Sequence, residues 1–328
     1  GADGILSAPS CNQNDQIAAV ATTEGTTKAS IKWLMLGLVL LIVPIIAFGL
    51  YKYLLQSRVA TQPLISKAEN DAVQNRLHKV YWQMTQDEQI RFIDEQAAHI
   101  SAMLGPNPPR LDGAVLVHIR DQVDGYAARR DSLSTEIFEE GLRPVYSRAS
   151  IYVPFITQAF NKRHVPPVIG LYIAMIESEY HPCAANQFGG EGLFGFSPGT
   201  TRRYGVALNE RCDPQKISQA AARYMDELTS EFGSDSASVA LAIASYNIGA
   251  ETVRKCLHTL LSNGIRERSY WSIATHPDQC SEYFAQYGYK YVPRFFAAAI
   301  VGENPQVFDL QIQPLSTYTE LKNQVINR

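Results

Sequence analysis

Apolar residues fall along this chain in three kinds of run. From Trp33 to Tyr51 no charged residue occurs, which is long enough to cross a bilayer as one helix at about 1.5 Å per residue. Pro44 would kink such a helix without excluding it. From Glu69 to Leu104, residues Val73, Leu77, Val80, Tyr81, Met84, Ile90, Ile93 and Ile100 recur at helical spacing up to the stop Gly105-Pro106-Asn107-Pro108-Pro109, which predicts an amphipathic helix. Leu111 to Ile137 offers another. The third kind is the run Val168 to Ile176, apolar on every side, which predicts a helix buried all round. Ser236 to Asn247 is similar, with the small apolar residues Val239 to Ala244 and Gly249 as its C-terminal cap. Alternating β-branched runs are few, so the fold class is mainly α.

The buried run starts at Pro166-Pro167, where proline suits the first turn of a helix, and must stop near Pro182. Glu177 therefore falls in its last turn. Burial disfavours the charged carboxylate, and the negative end of the helix dipole acts the same way. No Lys or Arg lies within a turn; His181 is the nearest candidate cation. A carboxylic acid still protonated near neutral pH is what cleavage of a glycosidic bond requires. A Glu that frays into water as the helix ends is the alternative reading.

Beyond Glu177 the chain reads Glu177-Ser178-Glu179-Tyr180-His181-Pro182, then Asn186, then the glycine-rich stretch Gly189 to Gly199, then Thr200-Thr201. Five glycines within eleven residues suit a backbone that needs positive φ or close approach by a ligand. Further on come Ser245-Tyr246-Asn247-Ile248-Gly249, Tyr291-Val292-Pro293-Arg294 and Glu303-Asn304-Pro305. These blocks, in this order and spacing, resemble the soluble-lytic-transglycosylase (SLT) domain: its E-S with a proline five residues after the Glu, its G-A-x-G-L-M-Q and P-x-T, its A-Y-N-x-G, and the Y-V-P-x and E-N-P elements of the membrane-bound lytic murein transglycosylase D branch. The approach Tyr152-Val153-Pro154 and the segment Arg211 to Met225 fit that branch too.

The resemblance implies a lysozyme-like, goose-type helical domain with Glu177 as the one catalytic carboxylate. Peptidoglycan glycan strands would be the substrate, and no cofactor or metal is implied. Substrate contacts are then expected from Ser178, Asn186, Gly192, Gly195, Tyr246, Asn247 and Tyr291, with Tyr246 and Asn186 holding the acid and the N-acetyl group. The chain departs from the pattern at four places: Gly195 stands where the family has Gln, Ser197 where it has Met, Asn186 where Ser is common, and Tyr287 where many members carry Glu. Two rivals follow. A goose-type lysozyme would use the same acid with water as acceptor, and a peptidoglycan-binding anchor with weakened catalysis is the reading that Gly195 and Tyr287 favour.

Other chemistry finds little support. Gly195-Phe196-Ser197-Pro198-Gly199 matches a hydrolase nucleophile elbow, but Pro198 lacks the N–H that the oxyanion would need. The seven histidines show no H-E-x-x-H, and neither C-x-x-C nor a P-loop occurs. A net charge of −3 without a basic stripe gives no footprint for nucleic acid.

Cys11 precedes the apolar span, whereas Cys183, Cys212, Cys256 and Cys280 follow it, all within the domain implied by the resemblance. An even set on one side points to an oxidising compartment, although four cysteines allow three pairings and four buried thiols are the alternative. Cys183–Cys212 with Cys256–Cys280 is the favoured pairing, since each would pin a loop beside the groove.

The expected organisation is a disordered cytoplasmic segment over 1–30, a transmembrane helix over 31–54 and a helical stalk or accessory region over 55–149. An SLT-like domain over 150–310 and a tail over 311–328 complete it. A cleaved signal peptide competes with the anchor, but the polar lead is long and no small-residue cleavage site follows. The whole reads as a single-pass inner-membrane protein with its C-terminal domain in the periplasm, with room for an envelope-complex or cytoplasmic partner. The chain starts without Met, which leaves sequence upstream open.

Overall fold

The computed structural model describes residues 79–318. Eleven α-helices occur among the described residues, joined by short helical turns, and the only β-pairing is two isolated bridges in the glycine-rich loop. In chain order the helices are α1 Gln86–Leu104, α2 Gly113–Ala128, α3 Leu142–Asn161, α4 Pro167–Ser178, α5 Pro198–Arg203 and α6 Pro214–Phe232. They continue with α7 Ser236–Ile248, α8 Ala250–Ser262, α9 Tyr270–Ala274, α10 Glu282–Gln286 and α11 Tyr291–Glu303.

Three helices form the centre because their sequences leave no polar face. Every residue from Val168 to Ile176 in α4 is buried, as is every residue from Val239 to Ser245 in α7 and from Phe295 to Gly302 in α11. Helix α11 packs on α4 and α7, while α3 and α6 close the other side of α4. Tyr146 of α3 donates its hydroxyl to the Ala298 carbonyl of α11 at 2.8 Å, so this contact inside the core is also polar-satisfied.

The described part of the expected stalk or accessory region, 79–149, belongs to this body. Helices α1 and α2 pack on each other and on α11, burying Ile93, Ala97, Ile100, Val115, Ile119 and Val123 in the common core. Within the described part of the periodic stretch, the helix that ends at Leu104 starts at Gln86. Thr85 forms a capping box with Glu88, each side chain accepting the other's backbone N–H, and this fixes the start at Gln86. Likewise α2 stops at Ala128, leaving 129–141 as a loop. Of the expected tail, 311–318 is anchored: Leu315 is fully buried, its N–H donates to the Gly302 carbonyl at 3.2 Å, and Ser316 bonds the Glu303 carboxylate.

Cys183 pairs with Cys212 and Cys256 with Cys280, with Cα atoms 4.8 and 4.7 Å apart. The apolar span over 31–54 and the cytoplasmic segment before it lie outside the described residues. No helix among the described residues is long and apolar enough to cross a membrane.

Candidate active site

Helix α4 ends ahead of Pro182, and its end builds the site. Pro167 opens it, and Glu179 closes it in the left-handed conformation (φ 46°, ψ 39°) with its N–H on the Met175 carbonyl. Glu177 thus stands in the last turn, partly open to solvent. Tyr291, the first residue of α11, donates its hydroxyl to Glu177 Oε1 at 2.6 Å. Burial pushes the Glu177 carboxyl above the usual carboxylate range; the Tyr291 hydrogen bond and the Arg294 charge only partly offset it. Burial likewise raises the Tyr291 phenol well above its ordinary value, so it remains a donor.

The glycine-rich loop is laid over this acid by three attachments. Ser178 Oγ lies 2.9 Å from both the Ala174 and Leu193 carbonyls, and Tyr246 at the end of α7 donates to the Phe194 carbonyl at 2.7 Å. On the far side, the Cys183–Cys212 disulfide brings Arg211 in to pair with Glu191 and to donate to the Gly189 carbonyl at 3.0 Å. Gly195, next after the two gripped carbonyls, then sits at φ 60° so close to the acid that a β-carbon there would lie 2.6 Å from Glu177 Oε2.

Several expected roles change. Ser178 is fully buried and cannot reach a substrate; it fastens the loop to the helix. Gly192 is buried as well. A β-carbon on it would strike the Arg211 carbonyl at 2.2 Å, so glycine serves packing there at φ 88°. Asn186 is exposed, but its Oδ1 accepts from the N–H groups of Phe188 and Gly190 at 3.0 and 2.9 Å and so shapes the loop. Tyr246 gives its hydroxyl to the loop, and the hydrogen bond to the acid comes from Tyr291. Asn247 and Gly195 stay partly exposed beside these groups. Ser197 caps α5, accepting the Thr200 N–H at 3.2 Å, which fits its exclusion as a nucleophile.

Sequence reasoning missed the buried ion pairs around Glu179 and Glu140. Glu179 is fully buried, with Arg129 Nη1 at 2.7 Å from its Oε1 and the Phe138 N–H donating to its Oε2 at 3.0 Å. Arg148 donates to the Glu179 carbonyl at 3.2 Å and pairs with Glu140, which His181 also approaches at 3.4 Å. Burial would raise the Glu140 carboxyl, but Arg148 and His181 hold it below the usual range. A Glu two residues after an acid in an otherwise apolar context was the one visible hint. Its partners were not visible, because they come from other helices and loops. Among the described residues no three His, Cys, Asp or Glu side chains gather as a metal site.

Residues 154–267, a stretch that holds Glu177, the glycine-rich loop and Asn247, match the family model described as Transglycosylase SLT domain. Among curated proteins, the membrane-bound lytic murein transglycosylase D of Escherichia coli (strain K12) is 25% identical over 175 residues, which is 52% of this chain and 36% of the relative. The protein of the same name from Escherichia coli O6:H1 (strain CFT073) aligns with the same figures. The chain thus spans about a third of the length of the curated relatives it matches.

Proposed function

We propose that this chain is a membrane-anchored lytic transglycosylase that cleaves the MurNAc–GlcNAc β-1,4 bond of peptidoglycan and leaves a 1,6-anhydroMurNAc end. The observation that carries this reading is a single partly exposed carboxylic acid, Glu177, with its proton affinity raised by burial and its orientation fixed by Tyr291, in the stretch that matches the SLT model. Glu177 gives its proton to the glycosidic oxygen as the bond to C1 breaks, with the substrate's own N-acetyl carbonyl supporting the sugar. The resulting carboxylate then takes the proton from the 6-hydroxyl as O6 bonds to C1. The acid is regenerated, and no water is consumed. Asn247, Asn186 and the backbone around Gly195 line the groove for the strand.

The helix over 31–54 would anchor the chain with this domain in the periplasm, a compartment in which two disulfides persist. A second reading, a wall-binding module with weak catalysis, is favoured by Gly195 and Tyr287 in place of the family's Gln and Glu. Incubating sacculi with the full-length protein and with Glu177→Gln decides between them by mass spectrometry of the soluble products. Anhydro-muropeptides from the parent alone support the transglycosylase, and reducing MurNAc ends would mean hydrolysis. Co-sedimentation without products would mean binding only.

A further inference from the structure

The loop 129–141 lies before the stretch that matches the SLT model, yet it is tied to the helix end that carries the acid. Arg129 pairs with Glu179 and, through Nε and Nη2, donates to the Glu140 carbonyl at 3.0 and 2.7 Å, which closes the loop on itself. The Phe138 N–H takes the other Glu179 oxygen. That bond holds Phe138 at φ 71°, a conformation a bulky residue adopts at a cost of roughly 1 kcal/mol or more. The Arg294 guanidinium lies 5.0 Å from the centre of the Phe138 ring. Arg294 is one helical turn beyond Tyr291, which holds the acid, and its charge acts on Glu177.

Phe138 is nevertheless 40% exposed, and Phe188 of the glycine-rich loop 76%, whereas Phe160, Phe194, Phe284, Phe295, Phe296 and Phe308 are at most 1% exposed. A phenylalanine serving only to pack would be expected to bury its ring and to spare the backbone this conformation. Phe138 is instead pinned to Glu179, backed by Arg294, whose charge reaches Glu177, and left open to solvent.

We propose that the 129–141 loop forms a wall of the active-site groove and that Phe138 is a sugar-binding residue, its ring stacking on the apolar C–H face of a pyranose unit adjoining the bond presented to Glu177. This rests on the reading of the site as one that takes glycan strands. A strand crossing Glu177 extends past the acid on both sides, and a flat apolar ring fixed next to Arg294 matches a sugar face while excluding water from it.

The test compares the full-length protein with its Phe138→Ala and Phe138→Tyr variants on soluble peptidoglycan glycan oligomers of defined length. Each is measured for KM, kcat and melting temperature. Phe138→Ala is expected to raise KM by about tenfold, more than it lowers kcat, with little change in melting because the ring is exposed. Phe138→Tyr, which keeps the ring, restores most of the affinity. An unchanged KM in Phe138→Ala overturns the proposal, and so does a loss of activity that tracks a fall in melting temperature. If the parent itself releases no product, the transglycosylase reading fails, and co-sedimentation with sacculi then decides this proposal: weaker binding by Phe138→Ala upholds it and equal binding overturns it.

Discussion

Gly195 and Glu177 share one small space: a β-carbon on Gly195 would stand 2.6 Å from Glu177 Oε2. The family's Gln at this position is therefore not a side chain the present backbone could simply regain. Gly195→Ala is expected to displace the acid or the loop and to lower kcat at least tenfold, order of magnitude, while the protein stays folded. Gly195→Gln should be no more active than the parent. Steady-state turnover of glycan oligomers with circular dichroism checks both, and a more active Gln variant would contradict this geometry.

Glu177→Gln should reduce turnover on the order of a hundredfold or more, as expected for loss of a general acid. It should also stabilise the fold near neutral pH. An acid whose folded pKa lies above its unfolded value binds more protons when folded, so stability falls as pH rises from the ordinary Glu range through the raised value. The amide escapes that penalty. Thermal melts of parent and variant should differ most near pH 7 and converge once the pH drops below the ordinary Glu range.

Tyr291→Phe removes the bond that favours the carboxylate. The Glu177 pKa should rise further, moving the alkaline limb of the pH–kcat profile upward, while the maximal rate falls about tenfold because the acid loses its orientation. A limb that moves downward would mean that Tyr291 does not act on Glu177 in this way.

Arg129 is the partner of the fully buried Glu179. Arg129→Ala leaves that carboxylate without its ion pair and should cost about 3–5 kcal/mol in urea unfolding. The double variant Arg129→Met with Glu179→Leu should cost markedly less, since no charge is then stranded. Equal losses would show that packing of the arginine stem, and not its charge, matters.

With Cys183–Cys212 and Cys256–Cys280 formed, Cys11 is left as the one thiol for labelling after unfolding without reductant. Mass spectrometry should count a single adduct on the intact chain. Reduction before unfolding should expose all five.

Sequence alone determined whatever depends on neighbours along the chain. The apolar run Val168–Ile176 could only be a buried helix, proline fixed its start, and Glu177 fell in its last turn with burial raising its proton affinity. Spacing likewise placed Tyr246 and Asn247 at the end of a helix closed by Gly249. Tertiary packing decided which groups meet. Tyr291, 114 residues away, holds the acid where Tyr246 was expected, because α11 brings its first turn against the end of α4. Ser178 and Gly192 turned inward, since the carbonyls of Leu193 and Arg211 come to rest against them. The described part of the expected stalk or accessory region became part of the core, and its loop took hold of Glu179. Periodicity records whether a face is apolar; it carries no information on which distant face will cover it.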